Sequence, residues 1–132
     1  MIIDTMGDLA KLYAIATVAF VGKSLFLPGG GHSLLEPAAQ GVPVLHGPYI
    51  ENAADIAAHL GSLGAALTVH AAGDIVDQIK RILGAPDDVS AAVRRAQQWI
   101  ETQRGASSVL AGLLLRGLDS PAFASLNTES HR

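Results

Sequence analysis

Apolar residues recur along this chain in two alternating rhythms. Leu9, Leu12, Tyr13 and Ala16 keep the three-and-four spacing of one helix face. Thr5 stands where a helix cap would, with Asp8 three residues later, so a helix is predicted over residues 6–16. The next run, "TVAFVG" at 17–22, is β-branched and aromatic without polar interruption, which predicts a buried strand. After a glycine-rich loop, Ser33 is placed to cap a short helix reaching about Gln40, with Pro37 in its first turn. "VPVLHG" at 42–47 predicts a second strand and "AALTVH" at 65–70 a third. Between them a helix is predicted over 52–64, capped by Asn52 and stopped by Gly64. A further helix over 74–84 ends at another glycine. The pattern then predicts a helix over 88–103, with Val93, Ala96, Trp99 and Ile100 on its apolar side, and a last one over 107–116. From Leu118 the pattern stops, and residues 118–132 read as a loose tail.

Strands that alternate with helices imply βαβ units and a parallel sheet. The short, uninterrupted apolar strands suit a sheet covered on both faces. The expected class is therefore α/β, a partial Rossmann-like parallel sheet of about three strands flanked by helices. The chain also opens on an apolar pair, Ile2–Ile3, that reads like the end of a strand, as if it entered a fold partway through.

The segment "LPGGGHSLLEPAAQG" (27–41) concentrates the candidate chemistry. Ligands of open parallel sheets bind beyond the carboxyl ends of the strands, where this loop falls. Gly29, Gly30 and Gly31 let backbone approach a ligand with no Cβ in the way. The helix beginning near Ser33 would add the positive end of its dipole, which suits a phosphate. Glu36 would repel that phosphate but accept hydrogen bonds from a diol. Phosphate at the loop and ribose at the acid together describe a nucleotide. The plainer alternative, a loop that only turns the chain, is equally open at this point. Lys23 reads as a phosphate contact or a solvated side chain, and His32 as a ligand contact or a loop brace. His46, His59 and His70 stand singly.

Composition narrows the rest. The 132 residues suit one domain, are 49% hydrophobic and carry a net charge of −3, so no basic surface points to nucleic acid. Cysteine is absent, which excludes disulfides and thiolate metal sites. No histidine and acid pair has metal-ligand spacing, and no metal or cofactor is expected. The longest apolar stretch, 12–22, is too short to span a bilayer, which needs about 20 residues.

Two long motifs add a family. "DTMGDLAKLYAIATVAFVGKSL" and "GGHSLLEPAAQGVPVLHGP" resemble, in register, the C-terminal domain of 3-deoxy-D-manno-octulosonic acid (Kdo) transferases. The resemblance covers about residues 3–116. It implies a GT-B glycosyltransferase that moves Kdo from CMP-Kdo to the lipid A precursor in lipopolysaccharide biosynthesis, at the cytoplasmic face of the inner membrane. It implies CMP contacts at Met6, Gly7 and Asp8, at Gly30 and Gly31, and at Ser33, Leu34, Leu35 and Glu36, with Glu36 on the ribose. Asp8 replaces the family's usual Glu, Ser33 its Asn and Lys23 a glycine, and the loop is about one residue longer. On this resemblance residues 1–117 form part of the donor domain. The acceptor-binding domain, its catalytic acid and the membrane anchor lie outside the chain. CMP or CMP-Kdo is then a weakly held partner, and the chain alone is expected to be inactive. The alternatives are a stand-alone nucleotide-binding or partner module and a fragment of another GT-B enzyme. With no strand predicted to flank residues 17–22 on their outer side, a homo-oligomer or a separate N-terminal half is expected to cover that edge or the helix of 6–16.

Overall fold

A computed structural model describes residues 9–30 and 33–118. Its elements run α1 (Leu9–Tyr13), β1 (Ala19–Val21), α2 (Leu35–Ala39), β2 (Val44–His46), a 3₁₀ turn (Glu51–Ala53), α3 (Ala54–Ser62), β3 (Ala66–Thr68), α4 (Ala72–Gly84) and α5 (Pro86–Leu118). The three strands form one parallel sheet in the order β1-β2-β3. Phe20 pairs with Leu45 and Leu45 with Leu67 in register. The expected α/β class and strand order hold.

Residues 1–99 form one compact unit and 100–132 a second. The core of the first lies around β2. Val44, Leu45 and His46 are all buried, as a strand hydrogen-bonded on both edges and packed on both faces requires. Leu34, Leu60 and Val69 close around them with at most 1% of their surface exposed. Each such side chain contributes roughly 1.5–3 kcal/mol by leaving water. The outer strands are less covered than expected. Phe20 in β1 is 42% exposed, because no strand among the described residues lies beyond it.

The two helix-to-strand turns that lead into β2 and β3 are built alike. After α2, Gly41 adopts φ 77°, its N–H bonds to the Ala38 carbonyl and the Val42 N–H to the Pro37 carbonyl. After α3, Gly64 at φ 79° repeats the pattern, with Gly64 N–H to Gly61 and Ala65 N–H to Leu60. This is the Schellman closure, which needs a left-handed residue and so selects glycine. The stop at Gly64 is as expected. Side chains of α5 then fasten both helix ends. Gln97 Nε2 donates to the Ala39 carbonyl and Arg95 Nη2 to the Leu63 carbonyl, each at 3.1 Å. Trp99 stacks on His59 of α3 with ring centroids 4.2 Å apart.

Several expected boundaries are corrected. Ser33 does not cap α2: the cap position is Leu34, in helical conformation and with no side-chain cap bond, so the helix starts a residue later. Asn52 does not cap α3, because a 3₁₀ turn absorbs it and Ala53 takes the cap position. Gly84 is the last residue of α4 rather than a left-handed stop, and Pro86 opens the next helix directly. The two helices expected over 88–103 and 107–116 are one helix of 33 residues. A single interior glycine such as Gly105 costs about 1 kcal/mol relative to alanine, too little to end a helix. The buried Val93, Ala96 and Ile100 do lie on the expected apolar side. The expected Thr5 cap and all of the expected tail beyond Leu118 lie outside the described residues.

Candidate functional site

The glycine loop follows the carboxyl end of β1, beside the segment that leaves β2. One serine joins the two. Ser24 is fully buried, and its Oγ donates to the Val21 carbonyl at the end of β1. The same oxygen accepts the N–H of Gly47 at 2.8 Å, just past β2. The Ser24 carbonyl accepts the Tyr49 N–H at 2.9 Å. Gly47 is glycine for a steric reason: a Cβ there would stand 2.1 Å from the Ser24 carbonyl oxygen. Buried His46 continues the brace, with Nδ1 2.8 Å from the Gly47 carbonyl. Its structural reading is the one the geometry favours.

Neither Ser24 nor Gly47 is among the candidate residues read from the sequence. A signal was present: a serine two residues past one predicted strand and a glycine at the last position of its predicted neighbour.

The loop itself is more occupied than expected. The Gly29 N–H bonds to the Phe26 carbonyl and the Gly30 N–H to the Tyr49 carbonyl, at 3.0 and 3.2 Å. These amides brace the loop in this conformation instead of facing a ligand. A Cβ on Gly29 would meet Tyr49 at 2.8 Å, whereas one on Gly30 would meet nothing within 4 Å. Gly30 therefore borders open space and Gly29 a packed wall.

Of the other candidate residues, Ser33 is exposed and Leu34 buried, so Leu34 can offer a ligand only its backbone. Leu35 is half-buried, and Glu36 is exposed in the first turn of α2. The first-turn N–H groups of a helix have no partner within it, but α2 has only five residues and a correspondingly small dipole. Pro37 falls in this first turn as expected, where its missing N–H costs little, and its side chain is buried. The helix α1 packs against α2. Partial burial first, and the nearby Glu36 carboxylate second, push the Tyr13 phenol above its ordinary pKa. Tyr13 also lines, with Ser33, Val21 and Gly22, a groove between α1 and β1. Met6, Gly7, Asp8, Gly31 and His32 lie outside the described residues. Among the described residues no group of acids and histidines has the arrangement of a metal site, and no helix is long and apolar enough to cross a membrane.

The parallel sheet with its loops at the strand ends defines an α/β domain of the GT-B C-terminal type, and solved structures bear this out. The "C-terminal CMP-Kdo binding domain of WaaA from Acinetobacter baumannii" matches with a TM-score of 0.66 and 36% identity, over 73% of this chain and 50% of that one. By sequence the chain is homologous to the 3-deoxy-D-manno-octulosonic acid transferases. It is 35% identical over 104 residues to that of Chlamydophila psittaci, covering 79% of this chain and 24% of the relative. It is 36% identical over 104 residues to that of Bordetella pertussis, with the same coverages, and 33% identical over 89 residues to that of Aquifex aeolicus, covering 67% and 25%. No family model matches the chain. The chain spans about a quarter of the length of these curated relatives.

Proposed function

We propose that this chain supplies part of the CMP-binding site of a Kdo transferase, which moves Kdo from CMP-Kdo to the lipid A precursor in lipopolysaccharide synthesis. The observation that carries this reading is the place of Glu36. It sits exposed in the first turn of α2, the helix that follows the carboxyl end of β1. In this reading Glu36 accepts the ribose hydroxyls. The backbone at Gly30, Gly31 and Ser33 to Leu35 lies along the phosphate, and Met6, Gly7 and Asp8 approach from the other side. The solved relative at 36% identity is a CMP-Kdo binding domain, which supports the assignment.

Calorimetry with CMP, and UMP as control, tests the reading. CMP binds in the millimolar range, about −4 kcal/mol. Glu36→Ala removes what binding there is, because the diol loses its acceptor. If the variant binds CMP as the parent does, Glu36 has no ribose role. The 132 residues alone hold the donor without turning it over, since binding that does not favour the transition state lowers no barrier. The enzyme works on the cytoplasmic face of the inner membrane.

We also propose self-association, or pairing with a separate N-terminal half, through the edge of β1 that no strand among the described residues covers. Phe20 is partly exposed there, and the apolar groove beside it is lined by Leu9, Leu12 and Tyr13 of α1. Unpaired strand edges flanked by apolar surface recruit further strands. Light scattering across a dilution series shows a mass above the monomer at high concentration. A constant monomer mass overturns self-association.

A further inference from the structure

A second groove that Phe20 also lines has a volume of about 480 Å³. Its walls are Phe20, Leu25, Phe26, Leu27 and Pro28, and Lys23 is the charged residue among the described ones that line it. Phe26 and Leu27 are 77% and 68% exposed, an unusual display of bulky apolar side chains at a loop. The loop that carries them is not loose, since Ser24 and the bonds of Gly29 and Gly30 pin it on either side. Lys23 has φ 59°, the left-handed region that costs any residue but glycine. A lysine held there keeps a cation at the carboxyl end of β1 at the expense of local strain. It makes no ion pair with any described residue.

A groove of this composition has a definite complement. Aromatic faces carry a negative quadrupole and receive the polarised C–H face of a sugar ring. An exposed lysine ammonium beside apolar walls offers a carboxylate a charge-assisted hydrogen bond. Apolar walls with one placed polar group are the usual make-up of a ligand site. We propose that the groove of Phe20, Lys23 and Phe26 seats the anionic sugar of the donor, with the carboxylate at Lys23 and the ring against the two phenylalanines. The proposal rests on the donor-binding reading above and assigns that donor's sugar acid to residues of this chain.

Saturation-transfer NMR on the full chain tests it, with free Kdo, its neutral methyl ester and CMP as separate probes. Kdo receives saturation from the protein and the methyl ester much less. Lys23→Gln and Phe26→Ala each weaken Kdo about tenfold, the loss expected for a charge-assisted contact or a stacked ring, and leave CMP binding unchanged. Lys23→Gly does the same with an equal or higher melting midpoint, since glycine removes the strain; a lower midpoint would make Lys23 a structural residue and overturn its assignment. If Kdo gives no transfer, or binds the Lys23 variants as it binds the parent, the groove is not the sugar site, even where CMP binds through Glu36. If Kdo binds through Lys23 and CMP does not bind, the sugar-acid site stands and the nucleotide reading falls.

Discussion

Gly47→Ala is expected to lose a large share of the stability of the fold. Its new Cβ would lie 2.1 Å from the Ser24 carbonyl oxygen, 2.3 Å from the carbonyl carbon and 2.6 Å from the Leu25 Cα. All three are backbone atoms, so no side chain can swing away. Either the loop after β1 or the exit from β2 must move. Movement of either breaks the Ser24 contacts to the Gly47 and Tyr49 amides. Buried donors left unpaired cost about 1–3 kcal/mol each. A total of roughly 3–5 kcal/mol follows, against about 5–15 kcal/mol for a whole domain. Urea denaturation measures it, with Gly22→Ala as the control. A Cβ at Gly22 meets nothing within 4 Å. Equal midpoints for the two variants would show that the two loops are not rigidly crossed.

Leu45→Ala is the second large loss. Leu45 is 1% exposed at the middle of the central strand, with Phe20 and Leu67 as its register partners on either side. A methylene-poor side chain there leaves a cavity that the flanking strands cannot collapse into without losing register. The expected cost is about 2–5 kcal/mol. Phe20→Ala, on the exposed outer strand, should cost less although it deletes more atoms. The same denaturation series decides this. If Phe20→Ala proves the more damaging, the core is centred on β1 and not on β2.

The strands were legible because each is a short apolar run between turn residues, and parallel pairing follows once helices separate them. The stop at Gly64 was legible because a left-handed turn selects glycine. The caps were not. Ser33 and Asn52 are favourable cap residues, yet the packing of buried Leu34 sets the start of α2 and a 3₁₀ turn sets that of α3. Tertiary packing outweighs a capping preference of about 1 kcal/mol. The break expected between residues 103 and 107 is absent for the same reason: the helix continues where local propensity is weak. In the site, Glu36 and the open approach at Gly30 follow from residue type and position. The inward-turned amides of Gly29 and Gly30 do not, because their partners, Phe26 and Tyr49, are set by how the loop folds back.

The Ser24 bridge makes the loops after β1 and β2 one mechanical body. A serine on one crossover holds two amides on the next, 23 and 25 positions away in the chain. Anything that steadies the first loop therefore also slows the openings that expose Gly47 and Tyr49 to solvent deuterons. A ligand seated near Gly30 would leave its imprint on hydrogen exchange at residues it never touches. Those two amides are thus a built-in gauge of occupancy, readable on the intact protein without any label.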